Sequence, residues 1–537
     1  MARTKKNEKE EIQSSYKTLE NTKPLTEILM VDKGFSCENY TKEKVKFATT
    51  ESQVINYSQD EIQNIVQSVF VGKSFSQRID LVLNTIGRKA HYRSIYYSFI
   101  ELMELLPYVC KNLHLMIIGE KQTGKTSMYK SINNTTHIIS EAPTNAALRG
   151  SKNSQFEEKK TPLEIEITVL DEFSDYPNID SISTIKSFEE NSCFLKYGVE
   201  DTESNCCLIK CGNGKNKIKN FKEITAKNIL AGFPLEWKQE AILDRQTALI
   251  YHPDIIPLTR EAFLKVGDKG LNVNIFFKHL EFLKNSEREI NIQLSKEIPI
   301  RKHSIITKAV KGLINLLYPD VIPQEYIIEG LTDIVLHFNY IAENIHYSPF
   351  RKKNMRFILE IVKSYNINFT EAYLLDNRIL LKGGNKFFKI ALTPFGAIEN
   401  EKEMKFYNDK TKSANIPIAT IYKESTKMIL IQEFYPLYSK ENHFDEQGNS
   451  ISFDYDKDKA YQRGNKLLIE LILVKAKYGE KLPKDEFINR RLYTDERLKQ
   501  EIRKYFNLNS STYINSFCFN YDGEETITIV NFAHLID

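Results

Sequence analysis

The chain has 537 residues, too many for one hydrophobic core, and typical domain sizes predict about three domains. Its 74 basic and 71 acidic residues nearly balance at +3, so any nucleic-acid surface must be local. The polar start, the seven cysteines without regular pairing and the lack of a long apolar run argue against secretion and membrane insertion. Composition therefore predicts a soluble, cytoplasmic protein with no membrane partner.

Four regions follow along the chain. Residues 1–74 are polar and are predicted to be partly disordered. Residues 75–257 alternate helices with apolar strands at 113–118, 165–170, 206–211 and 247–251, and residues 258–348 are helical by period. Residues 349–537 mix strand-like runs with an apolar helix at 466–477. The pattern predicts an α/β fold, a mainly parallel sheet flanked by helices with a helical lid, and a separate α+β C-terminal region.

Residues 119–126 match G-x-x-x-x-G-K-[ST], the phosphate-binding P-loop, between a predicted strand and a predicted helix. Lys125 can reach the β- and γ-phosphates of ATP, and the Thr126 hydroxyl can ligate Mg²⁺. ATP and Mg²⁺ are therefore the predicted cofactors. The residues predicted to bind nucleotide are Gly119, Glu120, Lys121, Gln122, Thr123, Gly124, Lys125, Thr126 and Ser127.

Two later strand ends carry polar residues that a P-loop ATPase needs. Asp171 and Glu172 end one apolar strand, where Asp171 would hold Mg²⁺ and Glu172 would deprotonate the attacking water. Asn213 ends the next strand and can position the same water. A strand end with two solvated acids, and an Asn-Gly turn, remain the alternatives.

Arg245 precedes the last of these strands. Its guanidinium can protrude to a neighbouring subunit and stabilise charge on that subunit's γ-phosphate, which implies a ring. A local ion pair, with Asp244 or at the surface, is the alternative. Lys125, Glu172, Asn213 and Arg245 are the predicted catalytic residues, and this ordered set before a helical lid favours an AAA+ module.

Other residues are predicted contacts for nucleic acid. Phe194, Lys196 and Tyr197 combine stacking surface with positive charge, and suit a grip on nucleic acid or peptide in a ring pore. A packed hairpin without a substrate role is equally open. Lysines around Asn213 can contact phosphates or form a solvated face, and these are Lys210, Lys215, Lys217, Lys219 and Lys222.

From residue 75 to 345 the chain resembles the BrxL-like family, Lon-like AAA+ ATPases of bacterial phage-defence systems. Beyond the P-loop, the resemblance rests on seven short segments, at 80–84, 105–107, 169–173, 212–213, 233–234, 244–245 and 312–319. It implies ATP-dependent assembly into a homo-oligomeric ring, expected to be a hexamer, with DNA and other defence proteins as partners.

The chain departs from the family in several places. Thr307, with Lys308 beside it, stands where the family has an arginine, a candidate nucleotide sensor in the lid. Gln246 stands where the family has phenylalanine. The family carries a Lon-protease-like domain, but no loop after residue 350 presents a serine with a lysine base. The sequence therefore predicts no protease activity. Glu470 and Lys475 do not form the paired-carboxylate-plus-lysine pattern of a restriction-type nuclease, so it predicts no nuclease activity either.

The resulting hypothesis is a ring-forming ATPase that hydrolyses ATP at subunit interfaces and acts on DNA in antiphage defence. One alternative is an ATP-dependent switch or scaffold that recruits an effector through the C-terminal region. A peptide unfoldase is another.

Overall fold

The computed structural model describes most of the chain between residues 58 and 451 and two short C-terminal strands. Residues 1–57 of the region predicted to be partly disordered, and the predicted helix at 466–477, lie outside the described residues. The described ranges are 58–89, 94–120, 123–132, 136–150, 160–176, 181–198, 200–253, 270–271, 273–286, 288–295, 297–409, 420–433, 443–451, 519–521 and 527–529.

The described strands, in chain order, are β1 Leu115–Gly119, β2 Thr136–Ile139, β3 Ile167–Asp171, β4 Cys193–Lys196, β5 Glu200–Glu203, β6 Cys207–Asn213, β7 Ala248–His252, β8 Glu371–Leu374, β9 Arg378–Gly383, β10 Lys386–Ala391, β11 Ile429–Glu433, β12 His443–Asp445, β13 Phe519–Tyr521 and β14 Ile527–Ile529.

The described α-helices are α1 Gln59–Phe70, α2 Phe75–Thr85, α3 Ile95–Leu105, α4 Ser127–Ile132, α5 Asn145–Arg149, α6 Ile182–Asn191, α7 Ala226–Ile229, α8 Glu240–Leu243, α9 Val273–Asn285, α10 Ile300–Leu317, α11 Glu325–Ala342, α12 Met355–Val362 and α13 Pro394–Asn408. Short 3₁₀ turns occupy Leu106–Tyr108, Pro162–Glu164, Phe173–Asp175, Phe221–Glu223, Leu235–Lys238, Lys352–Asn354 and Lys363–Tyr365. No described helix combines the length and apolar composition needed to cross a membrane.

The central sheet is parallel throughout, with strand order β2-β3-β6-β1-β7. Strands β1 and β7 are buried along their whole length, because helices cover both faces of a parallel sheet. The sheet confirms the predicted α/β class. β2, an edge strand with partly exposed residues, was not among the predicted strands.

The region predicted as a helical lid contains α9, α10 and α11. α11 packs along β7. The Asn339 side chain donates hydrogen bonds to the backbone carbonyls of Gln246 and Thr247, at 3.3 and 3.2 Å. These bonds fix α11 at the point where the chain enters β7.

The C-terminal region contains an antiparallel sheet of order β11-β10-β9-β8-β12, with α13 packed on β10 and β11. A buried ion cluster joins strands to helix, since Glu403 of α13 contacts Arg378 at 2.9 Å and Lys389 at 2.6 Å. This sheet confirms the predicted separate α+β region. It adjoins the domain that contains the parallel sheet, where the Tyr96 amide donates to the Leu392 carbonyl at 2.9 Å.

Candidate functional site

Three predicted elements meet at the carboxyl edge of the parallel sheet. β1 ends at Gly119, which lies level with Asn213 at the end of β6. β3 ends at Asp171, which lies level with Cys211 of β6. Because β6 runs between β1 and β3, Asn213 separates the P-loop from the acidic pair.

The P-loop backbone depends on two glycines. A Cβ on Gly119 would lie 2.6 Å from the Cβ of His252, so any side chain there would displace β7. Gly124 has φ of +88°, a conformation that other residues adopt only with strain. The predicted binding residues whose placement is not described are Lys121, Gln122 and the side chain of Ser127.

The Lys125 side chain lies folded over the P-loop. Its Nζ donates to the carbonyls of Gly119 and Glu120, at 2.9 and 2.7 Å. It also lies 3.4 Å from both Thr123 Oγ1 and Asn213 Oδ1. Burial lowers the pKa of Lys125 below its usual value, although nearby acidic groups oppose the shift. The predicted phosphate ligand and the predicted water-positioning amide are therefore neighbours.

Asp171 forms an ion pair with a lysine of the same chain. Lys130 of α4 places its Nζ 3.0 Å from Asp171 Oδ2, and the carboxylate is 13% exposed. Lys130 also donates its backbone amide to the Thr126 carbonyl at 3.0 Å, so Thr126 and Lys130 share one helical turn. A carboxylate and a hydroxyl are the oxygen ligands that suit Mg²⁺, and both lie at this edge. Asp171 and Thr126 therefore fit the predicted metal role.

Glu172 turns away from the strand. Its φ is +56°, in the left-handed region, and its side chain is exposed. Such a conformation costs about 1–2 kcal/mol in a residue with a Cβ and persists where the surroundings hold it. Phe173 is buried against Trp237, with ring centroids 4.9 Å apart, and the Ser174 hydroxyl accepts the Asn213 amide at 3.1 Å. These contacts fix the two residues that follow Glu172 at the sheet edge.

Arg245 lies at the opposite, amino edge of the sheet. β7 begins at Ala248, three residues later, and only its far end is level with Gly119. The Arg245 guanidinium pairs with Glu190 of α6 and donates to the Ala241 carbonyl. The sheet therefore separates Arg245 from the P-loop of its own subunit. Its ion-pair partner is Glu190, not Asp244.

The predicted pore grip is wrong for Phe194. The hairpin of β4 and β5 exists, but Phe194 is buried against Phe188, with ring centroids 6.2 Å apart. Lys196 pairs with Glu164 at 2.7 Å and lies 5.4 Å from the Tyr197 ring. The hairpin therefore packs against other parts of the same chain. Among its described residues, Leu195 is the exposed large apolar one.

Lys210 was predicted as a phosphate contact or as part of a solvated face, and both interpretations are wrong. It is fully buried in β6, where it pairs with Glu189 and donates to Gln246 Oε1 at 2.9 Å. The lysines that do remain exposed are Lys215, Lys217, Lys219 and Lys222.

Thr307 and Lys308, the candidate nucleotide sensors of the lid, lie away from the P-loop. The Cys110 thiol donates to the Lys308 carbonyl at 3.6 Å, and Cys110 precedes the start of β1. This is the amino edge of the sheet, so the structure removes both residues from the nucleotide site of their own subunit.

Sequence reasoning missed Lys130 and Glu190. Lys130 follows Thr126 by four residues, and this helical spacing was a usable signal for a shared face. No local pattern distinguished Glu190 from other exposed acids, since its role depends on packing between α6 and the start of β7.

Comparison with known proteins agrees with this geometry. The family model described as "Lon-like protease BrxL-like, ATPase domain" matches residues 49–357, more than half of the chain. The match extends beyond the resemblance predicted over 75–345. A curated "Lon-like protease BrxL" from Escherichia coli O9:H4 (strain HS) is 20% identical over 254 residues.

That alignment covers 45% of this chain and 35% of the relative, so the chain spans about a third of the curated relative's length. The segment that the family model matches, residues 49–357, includes the P-loop, the acidic pair, Asn213 and Arg245. The chain therefore belongs to the BrxL-like family and carries its ATPase domain.

Proposed function

We propose that this chain is a ring-forming ATPase that hydrolyses ATP at subunit interfaces and acts on DNA in antiphage defence. Lys125 binds the β- and γ-phosphates, Asn213 orients the water, and Glu172 takes its proton. Thr126 and Asp171 would hold Mg²⁺, which neutralises phosphate charge when bound. Arg245 stabilises the transition state on the neighbouring subunit's γ-phosphate.

One observation carries the proposal: the two halves of the site lie on opposite edges of one sheet. The P-loop, Asp171 and Asn213 occupy the carboxyl edge, and Arg245 precedes the amino end of β7. An arginine so placed can complete only the site of another subunit. This supports catalysis at an interface between copies.

Action on DNA rests on charge and on the family. The exposed Lys215, Lys217, Lys219 and Lys222 follow Asn213 directly. Lysine contacts with phosphates bind DNA without reading its sequence, and their strength falls with salt. We propose that phosphate contacts at this loop would affect the water-positioning Asn213, which ends β6 two residues before Lys215. Other defence proteins are proposed partners, and we propose neither protease nor nuclease activity.

The test measures ATP turnover with and without DNA in the wild type and in Glu172→Gln. We expect DNA to stimulate the wild type. Glu172→Gln should lower turnover by about 10²–10⁴-fold, the range for losing a general base, while ATP binding is retained. Asp175→Asn is the matched control, because Asp175 is also exposed and lies three residues further on.

ATP turnover that DNA does not change at any salt concentration would reject the proposed action on DNA. If ATP still drove oligomerisation in that case, the switch or scaffold alternative would replace it. Equal losses in Glu172→Gln and Asp175→Asn would reject Glu172 as the base.

A further inference from the structure

The guanidinium of Arg245 is held back against its own subunit. The Arg245 side chain is only 11% exposed, and both of its partners, Glu190 and the Ala241 carbonyl, belong to neighbouring helices of the same chain. Its Nε is buried and has no hydrogen-bond partner among the described residues. To reach a phosphate on a neighbour, this side chain must leave Glu190.

Glu190 has a second cationic partner. Its Oε1 lies 3.5 Å from Arg301 at the start of α10, while its Oε2 contacts Arg245. Arg301 also lies 3.4 Å from Asp244. Glu190 and Arg301 are 44% and 41% exposed, so this face of the subunit is open to a partner. Removal of Arg245 would therefore leave Glu190 still paired.

The backbone beneath Glu190 is anchored. Its chain neighbour Glu189 is buried, pairs with Lys210, and accepts hydrogen bonds from Gln246 at 3.2 and 3.3 Å. Because Gln246 follows Arg245 directly, one buried network fixes both ends of the Glu190–Arg245 pair. Exchange of partners is thus a side-chain movement of Arg245 and requires no refolding.

We propose that Glu190 stores Arg245 in the free subunit and releases it to the ATP of a second copy of this chain, with Arg301 remaining as the counter-ion. This inference rests on the proposed function of Arg245 in trans. Glu190 is a positioning residue, because it acts through Arg245 and touches no substrate. The pair holds the Arg245 guanidinium in place until a neighbouring subunit presents the negative charge of its ATP phosphates.

The exchange is balanced in charge. Arg245 leaves one half-exposed carboxylate for a polyphosphate with several negative oxygens, which a planar guanidinium binds in two-pronged fashion. The pair is weak enough to break because its Glu190 carboxylate is 44% exposed, and water screens its attraction to Arg245. The contact with Glu190 therefore raises the protein concentration needed for assembly but does not prevent assembly.

The test is ATP turnover per subunit as a function of protein concentration for Glu190→Gln. Loss of the storage contact should lower the concentration for half-maximal turnover by about two- to fivefold, the factor that an exposed ion pair contributes. Turnover at saturating protein should stay unchanged, and Glu190→Asp should behave like the wild type. A half-maximal concentration that stays the same or rises in Glu190→Gln overturns the proposal.

Asp244→Asn is the matched control, because it removes the same charge from the same cluster without touching Arg245. Glu190→Gln should also have no effect in an Arg245→Ala background. An equal shift in Asp244→Asn overturns the proposal in favour of a general charge effect. If Arg245→Ala itself leaves turnover unchanged, the trans function fails first, which separates that failure from failure of storage alone.

Discussion

Asp171 and Lys130 form an ion pair at the place where the site would hold Mg²⁺. The Lys130 side chain is 53% exposed, so it can swing away, whereas Asp171 is mostly enclosed. A metal that binds Asp171 has to displace this ammonium group. We infer that Lys130 competes with Mg²⁺ and screens the carboxylate in the absence of metal.

Lys130→Met should therefore raise the affinity of the site for Mg²⁺. We expect the Mg²⁺ concentration for half-maximal ATP turnover to fall about two- to fivefold, the worth of one exposed ion pair. Lys215→Met, which removes an exposed lysine after β6, controls for net charge. A higher Mg²⁺ requirement in Lys130→Met would show that Lys130 assists phosphate binding instead.

The roles of residues at the ends of strands were predictable from the sequence. The roles of residues that depend on packing between distant elements were not. Lys125 follows a buried strand, Asp171 and Asn213 each end one, and parallel strands bring their ends to one edge. Glu190 sits in a helix, and its meeting with Arg245 requires the packing of α6 against the start of β7. No spacing in the sequence encodes that contact.

At the scale of elements, a buried polar network joins β6, α6 and the entry to β7. Lys210 and Glu189 have no exposed side-chain surface, and burial lowers the pKa of Lys210. Gln246, which departs from the family's phenylalanine, contributes hydrogen bonds to both. Gln246 therefore links the entry to β7 with the buried ion pair between β6 and α6.

Lys210→Met should destabilise the ATPase domain by about 3 kcal/mol, because it leaves Glu189 buried without a counter-charge. The double variant Lys210→Met with Glu189→Gln removes both charges and should recover most of that loss. The midpoint of urea unfolding measures both. Equal midpoints for the single and double variants would mean that the lost pairing is not the cause.

Element prediction succeeded where burial is continuous. The apolar runs of β1, β3, β6 and β7 were predicted because a strand covered on both faces is apolar throughout. β2 is short, sits at the edge and is half-buried, so its signal was too weak. Strand order was beyond the sequence, because it is set by which strands pair and not by their spacing.

At the scale of the molecule, the proposed site is completed between subunits. Arg245→Ala subunits retain an intact P-loop, and Lys125→Ala subunits retain Arg245. We expect mixtures of the two to regain part of the turnover that each lacks alone, because some interfaces then combine an intact P-loop with an intact Arg245. Turnover at each mixing ratio is the measurement, with each variant mixed with itself as the control.

No recovery at any ratio, despite co-assembly of the two variants, would contradict the shared site. Recovery beyond that expected from randomly formed intact interfaces would show that subunits sort by partner.

The opposite placement of the P-loop and Arg245 also gives each subunit a direction. A surface that donates at one end and accepts at the other can join copies only head to tail, never face to same face. A closed ring of n such subunits has n complete sites, while an open row of the same length has n−1, with an unmatched P-loop at one end and an unmatched Arg245 at the other. Counting the sites per assembly that hydrolyse ATP would therefore distinguish a closed ring from an open row.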